Sequence, residues 1–480
     1  MKVTFVHPCI GRRAGQKDYI KTWQMEPLAP AVLAGMTPED VDIAFYDDRI
    51  ETIPYEEPTD LVAISVETYT AKRAYQIASE YRRRGVPVVM GGFHATLVPD
   101  EVSTYAESVV IGEAEGLWPE VVEDAKHGSL KKFYSRTERP KLGSTMPDRS
   151  IFAGKRYLKV GLVETSRGCP FRCDFCAIHA YFKSTQTRRP VERVVEEVES
   201  LTKSGSKVIF FVDDNIIGNR YEAKKLFKEL IPLRIRWMSQ ASITVAYDEE
   251  LVALMKESGC YGLLIGFESL NEENLKRMNK GFNAARGGFE SALQVLSRHG
   301  IKLYPTFVFG YDADNESSFD ETVSFCEKHR FLVAAFNHLT PFPGTPLYAR
   351  LEQEDALNYE TWWLDERYRY GEAPMDTQQL SGKRIKSLCV SARKRFYSLS
   401  SITRRMLNPV NCPDLFSLQT FWMLNLLFRS EVSVREGYPL GDESYPRTLL
   451  RANHTSSMTS AEHLAERTTK DTIAHAPSNV

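Results

Sequence analysis

The stretch Val160-Gly-Leu-Val-Glu-Thr-Ser-Arg-Gly-Cys-Pro-Phe-Arg-Cys-Asp-Phe-Cys176 joins a short apolar run to a cysteine-rich loop. Val160–Glu164 has the length and composition of a buried strand. The loop after it sets Cys169, Cys173 and Cys176 in a C-x3-C-x2-C spacing. The other five of the eight cysteines, Cys9, Cys260, Cys326, Cys389 and Cys412, are scattered. Thiolates are the usual ligands of iron–sulfur clusters, and three of them on a four-iron cubane leave one iron open to a small molecule. Gly168 and Pro170 shape a tight loop that can turn several thiolates inward. The same cysteines could hold zinc in a binding or scaffold module, although structural zinc more often has four closed ligands.

Downstream, strand-like runs recur at Val208–Val212, Arg236–Ser239, Gly262–Gly266, Lys302–Phe309 and Ala334–His338, with helical patterns such as Val191–Lys203 and Asp248–Ser258 between them. Six βα units predict a partial TIM-type (β/α)6 barrel over 151–345, whose sites sit in the loops after the strands. Upstream, Val3–His7, Val41–Tyr46, Leu61–Ser65, Val86–Met90 and Ser108–Ile111 alternate with helical spacing such as Ala71–Arg84. That pattern predicts an α/β Rossmann-like, flavodoxin-type parallel sheet over 1–125, with a ligand crevice beyond the carboxyl ends of its strands. Residues 126–150, polar and punctuated by Pro140, Gly143 and Pro147, read as a linker. Residues 346–450 read as mostly helical. The tail 451–480, rich in Ser, Thr, Ala and His, is expected to be disordered.

The 480 residues carry 61 basic and 63 acidic side chains, so net charge gives no broad attraction to nucleic acid or an anionic membrane. The basic run from Gln379 to Met406 reads as a solvated helix face. Leu415–Phe428, the most apolar late stretch, is shorter than the ~20 residues a spanning helix needs. With no signal-peptide core after Met1, a cytoplasmic protein is expected, where clustered cysteines point to metal or catalysis.

The cysteine segment resembles the signature of the radical S-adenosylmethionine (SAM) superfamily, with Phe175 as the aromatic residue that often precedes the third cysteine. The resemblance implies a [4Fe–4S] cluster on Cys169, Cys173 and Cys176 that binds SAM through its open iron and cleaves it reductively. It continues in Phe210-Phe-Val-Asp-Asp-Asn215, where Asp213, Asp214 and Asn215 would approach the cofactor's methionine end; capping of a following helix is the structural alternative there. Gln240 and Ser242 would meet the ribose or carboxylate. Tyr261-Gly-Leu-Leu-Ile-Gly-Phe-Glu-Ser269 would bring Glu268 to the cofactor, unless that carboxylate merely caps its loop. Arg277-Met-Asn-Lys-Gly281 and Pro341-Phe-Pro-Gly-Thr-Pro-Leu347 are similar to further segments of this subgroup. Asn337 and His338, just before the second of these, could face substrate.

Residues 1–125 resemble the cobalamin-binding domain found ahead of many such cores. The matching loops hold Ser65 and Thr68, then Gly91-Gly92-Phe-His94, then Gly112-Glu-Ala-Glu-Gly116. The D-x-H-x-x-G cobalt-ligand motif is absent: the region reads His7-Pro-Cys-Ile-Gly-Arg-Arg-Ala-Gly15. Cobalamin could bind without a protein ligand, or the fold could persist without the corrin, and His94 is taken as a loop residue. The resemblance implies a biosynthetic radical SAM enzyme, with cobalamin-assisted methylation of an unactivated centre as the leading reaction. The alternatives are a cobalamin-independent rearrangement, or 3-amino-3-carboxypropyl transfer to a soft acceptor such as an arsenical, near Cys9 or Cys412. Its partners would be a small-molecule substrate and a flavodoxin- or ferredoxin-type one-electron donor, with neither nucleic acid nor membrane.

Overall fold

The computed structural model describes residues 1–15, 24–432, 434 and 436–452. They form two compact units: Met1–Gly15, Pro27–Arg156 and the residues from Pro439 to Ala452 in one, and Gln24–Glu26 with Tyr157–Tyr438 in the other. The expected disordered tail lies outside the described residues from 453 onward.

The first unit is a six-stranded parallel sheet of β1 (Lys2–His7), β2 (Asp42–Asp47), β3 (Leu61–Ser65), β4 (Val88–Gly91), β5 (Ser108–Ile111) and β6 (Phe133–Ser135), in the order β2-β1-β3-β4-β5-β6. This is the flavodoxin-type order, and the chain reverses direction across the sheet between β1 and β3, where such folds open their ligand crevice. Both faces of the sheet are covered, so β3 and β5 read as nearly unbroken apolar runs. Helices α1 (Leu28–Met36), α2 (Ala71–Arg83) and α3 (Trp118–Lys126) provide the cover, with the Trp118 ring 5.5 Å from that of Phe5.

The expected linker over 126–150 needs correction. Phe133–Ser135 is a buried strand paired in register with Val109–Ile111. Three residues are too few to show a strand's alternation against polar flanks. Residues 441–442 also return to this unit, where Gly441 pairs with Gly11.

Asp48, just past β2, anchors the carboxyl end of β1. Its carboxylate accepts from Arg73 at 2.7 and 2.9 Å, from Arg12 at 2.8 Å and from the Cys9 amide at 3.3 Å. Burial alone would raise this carboxyl's pKa, but the two guanidiniums outweigh it and hold it below the ordinary carboxylate value.

The second unit holds β7 (Val160–Val163), β8 (Val208–Phe211), β9 (Arg236–Ala241), β10 (Cys260–Glu268), β11 (Lys302–Phe309) and β12 (Ala335–His338). All six are parallel and lie in sequence order, which is the expected open (β/α)6 barrel with β7 and β12 as its edges. Beyond it come α4 (Gly382–Phe396), α5 (Leu399–Met406) and α6 (Leu415–Glu431). The basic run is largely neutralised on the spot: Arg384 pairs with Glu316 at 2.6 Å, Lys386 with Glu372 at 3.0 Å and Arg395 with Asp320 at 3.1 Å. Among the described residues no helix is long and apolar enough to cross a membrane.

Arg73→Met should remove about 3 kcal/mol of stability by leaving the Asp48 charge poorly compensated. Because the Asp48 pKa is depressed in the fold, its contribution is complete above the ordinary carboxylate pKa and is lost as pH falls through the depressed value. Denaturant unfolding followed down an acid series should therefore fall more steeply for the wild type than for the variant.

Candidate active site

The cysteine loop leaves the carboxyl end of β7. Gly168 takes φ +93°, a left-handed conformation that glycine adopts without a Cβ clash. From here to Cys176 the loop makes little regular structure of its own, and its polar groups are held by neighbouring segments. The Gly168 amide donates to the Asp214 carboxylate at 2.7 Å, and its carbonyl accepts from Gln186 at 3.3 Å. The Phe171 ring stacks on Phe282 with centroids 4.2 Å apart. The Arg172 carbonyl accepts from Asn279 at 3.3 Å, and the Asp174 carboxylate accepts from the Tyr311 hydroxyl at 2.6 Å. The Asp174 amide and carbonyl bond to Met278 O and Leu347 N, at 3.3 and 3.0 Å.

Cys173 is buried and its two neighbours are half-buried. Burial pushes all three thiols up, Cys173 to about 12, and they lie close enough to feel one another's charge. Opposing that, the Phe171 amide and Asn215 Nδ2, at 3.9 Å, face the Cys169 sulfur, and the Ile178 and His179 amides face Cys176. Lys280 adds a buried cation. Burial alone would lower its pKa, but Glu268, Cys173 and Cys176 together raise it above the usual lysine value. Among the described residues no three His, Cys, Asp or Glu side chains crowd onto one point able to hold a single ion. Three spaced thiolates ringed by N–H donors and an ammonium suit an anionic iron–sulfur cluster.

The expected cofactor residues divide into two groups. Asp213 is fully buried, and its carboxylate accepts from the Thr165 amide at 3.1 Å, the Thr165 hydroxyl at 2.6 Å and the Ser166 hydroxyl. It locks β7 to β8, so the expected pairing with an ammonium does not fall to it. Asp214, pushed up to about 6 by burial, is occupied by Gly168. Neither caps the following helix, Arg220–Leu230, whose cap is Asn219. Asn215 spans the cysteine loop and the end of β9, since its Oδ1 accepts from the Ser242 amide at 3.2 Å. Ser242 hydrogen-bonds Thr244 at 2.7 Å, and Gln240, half-buried, accepts on its carbonyl from Ile216. A cavity of about 480 Å³ opens here, lined by Pro170, Phe171, Asn215, Arg220, Ser242 and Thr244 among others. Phe175 packs with Leu275, Met278 and Tyr311 behind the loop.

Glu268 ends β10 at φ +64°, a strained conformation for a side chain other than glycine, where the register with β11 slips between Gly266 and Glu268. The kink aims its carboxylate at Lys280 Nζ, 2.5 Å away, and Lys280 also donates to Gly266 O at 3.1 Å. A Cβ on Gly266 would collide with both charged groups. The sequence pattern does not single out Lys280. The segment Arg277–Gly281 resembles the family, but only the bulge shows which of its residues turns inward. Tyr311 carried no sequence signal. His338 is half-buried, and burial drives its ring pKa down to about 3.

In the first unit, Ser65 and Gly91 end β3 and β4, and Gly92 and Gly112 come directly after β4 and β5. Gly92 takes φ +98°, and a Cβ there would press within 3.0 Å of the Val66 backbone. Thr68 is buried, with its hydroxyl 3.2 Å from His94 Nδ1, and Glu101 lies 3.2 Å from Nε2. His94 is therefore a fixed, fully buried residue of the short helix Phe93–Leu97, not a loop residue. Cys9 is fully buried, and burial drives its thiol pKa far up.

An open six-stranded parallel barrel with a cysteine loop after its first strand defines a class of cluster-binding α/β enzymes. The Radical SAM superfamily model matches residues 163–326. The chain is 33% identical over 392 residues to the bacteriochlorophyllide d C-12(1)-methyltransferase of Chlorobaculum tepidum, covering 79% of this chain and 84% of that protein. It is 24% identical over 350 residues to the hopanoid C-2 methylase of Rhodopseudomonas palustris, covering 70% and 66%. Its fold matches the radical SAM methyltransferase TsrM of Kitasatospora setae, solved with cobalamin and a [4Fe–4S] cluster, at a TM-score of 0.59 and 19% identity, over 74% of this chain and 75% of that one. This chain belongs to the radical SAM superfamily and is an enzyme. Membership implies a [4Fe–4S] cluster and SAM.

Asp214→Ala should release the Gly168 amide and lower iron affinity by about 10–100-fold, the usual effect of losing a partner behind the ligands. Asp214→Asn keeps an acceptor and should retain most of the cluster. Iron and sulfide per chain after gel filtration check both.

Proposed function

We propose that this enzyme methylates an unactivated centre of a small, largely apolar biosynthetic substrate, using SAM and cobalamin. The observation that carries the proposal is the presence of two built features in one chain: a clamped three-cysteine loop and a flavodoxin-type sheet whose strand order reverses between β1 and β3, where such folds bind ligands. The naming of relatives for bacteriochlorophyllide and hopanoid methylation supports an apolar substrate. A cluster on Cys169, Cys173 and Cys176 supplies, when bound, the electron that cleaves SAM, and a flavodoxin- or ferredoxin-type donor renews it.

The chain's own residues bind and orient. Lys280, held by Glu268 and buried beside Cys173 and Cys176, presents an ammonium to a carboxylate near the cluster. Asn215 and Ser242 place hydrogen-bonding groups along the neighbouring cavity, and Gln240 stands at the end of β9 that leads to it. Asp213 and Asp214 fix the loop on which the thiols stand. Ser65, Gly91, Gly92 and Gly112 stand at the carboxyl ends of the first unit's strands, where a corrin would sit; of these Gly112 faces open space, and Thr68 steadies His94.

The test is anaerobic reconstitution with iron and sulfide, then dithionite, SAM and hydroxocobalamin, with mass spectrometry of the products. The expected outcome is 5′-deoxyadenosine formed by the wild type and absent from Cys173→Ala, with cobalamin retained by the folded chain. Methylthioadenosine as the main product, or no retention of cobalamin, would contradict the proposal. Lys280→Gln should weaken SAM binding by about tenfold or more, the scale of one lost charge-assisted contact, in equilibrium dialysis on chains with matched iron content.

A further inference from the structure

The last two helices turn unusual faces outward. α6 buries Ser417, Phe421, Asn425, Phe428 and Glu431, so three of its five buried positions are polar. The opposite side carries Leu415, Met423 and Leu426, which are 69%, 61% and 45% exposed and share one stripe at helical spacing. Leu399 at the start of α5 and its C-cap Leu407 are 53% and 64% exposed, and Thr403 lies between them at the i+4 position. Five of the nine exposed large apolar side chains among the described residues thus fall within Leu399–Leu426.

Neither helix can roll to hide these side chains. Arg405, fully buried, donates to the carbonyls of Phe331, Leu332 and Phe396 and, at 2.8 Å, to Asn425 Oδ1. Asn425 in turn donates to Leu332 O and Phe421 O. Rotation of α5 or α6 would break this buried network and strand its polar groups. A helix held with its aliphatic side outward needs a covering partner.

Charge selects that partner. Exposed Arg404 and Arg429 border the stripe, and exposed Arg236 lies over the Phe416 ring at 4.1 Å. Between Ser398 and Ser430 the sole carboxylate is Asp414, which is engaged in capping α6. A second copy laid face to face would set arginines against arginines. An electron donor is poorly served, because Arg405 and Asn411 bond to carbonyls at residues 330–332, ahead of the amino end of β12, whereas the cysteine loop leaves the carboxyl end of β7. Leucines and a methionine bordered by arginines match the interface of a bilayer with anionic head groups.

We propose that α5 and α6 form a peripheral docking face for an anionic lipid bilayer. The net charge of −2 hides this face because it averages over the whole chain. The face lies away from the cluster, so it stands independently of the reaction catalysed.

The test is flotation of the reconstituted full chain with phosphatidylcholine vesicles containing phosphatidylglycerol, beside pure phosphatidylcholine vesicles. The expected result is binding to the anionic vesicles that drops about tenfold or more in the Met423→Glu/Leu426→Glu double variant. Tyr221→Glu, at a 69% exposed apolar site elsewhere, should bind as the wild type does. Iron content and circular dichroism establish that the variants are folded. Absence of flotation by folded wild type, equal flotation of the double variant, or a dimer that the double variant abolishes without any vesicle binding would each overturn the proposal.

Discussion

The structure of the site depends on one constraint: a loop with little regular hydrogen bonding of its own must hold three thiols in a fixed arrangement. Nine residues from Gly168 to Cys176 receive their geometry from outside. Asp214 and Gln186 hold the start, Phe282 and Asn279 the middle, and Tyr311 and Leu347 the end. These partners come from segments spread over more than a hundred residues. The barrel is what makes that convergence possible, since parallel strands deliver their following loops to one end.

Electrostatics complete the constraint. Thiols buried without a cation or N–H donors stay protonated, and burial, with the neighbouring thiols and Glu268, pushes Cys173 up to about 12 even against Lys280. Lys280 and the amides around Cys169 and Cys176 work against that penalty and favour an anionic centre. Lys280 is itself held by Glu268, whose left-handed backbone stores strain at the bulge in β10. The packed strands on either side sustain that strain.

The alternation of apolar runs with helical spacing made both sheets legible, and the cysteine spacing identified the loop. The polar fates of individual side chains were not legible. Asp213 and Asp214 stand side by side in the sequence, yet one seals β7 against β8 and the other pins Gly168, because neighbouring residues at a strand's end point opposite ways. Lys280 and Tyr311 act across long sequence separations that no local pattern encodes. Phe133–Ser135 was hidden by its brevity. α6 read as an apolar stretch too short to span a membrane, but its reversed orientation, with polar groups inward, follows from the buried Arg405–Asn425 contact.

The most direct test is electron paramagnetic resonance of the reconstituted, dithionite-reduced protein with and without SAM. A cluster with one open iron on Cys169, Cys173 and Cys176 predicts a reduced-cluster signal that changes shape when SAM binds and is lost in Cys173→Ala. A fully loaded protein whose signal ignores SAM, or one that retains zinc and takes up no sulfide, would contradict it.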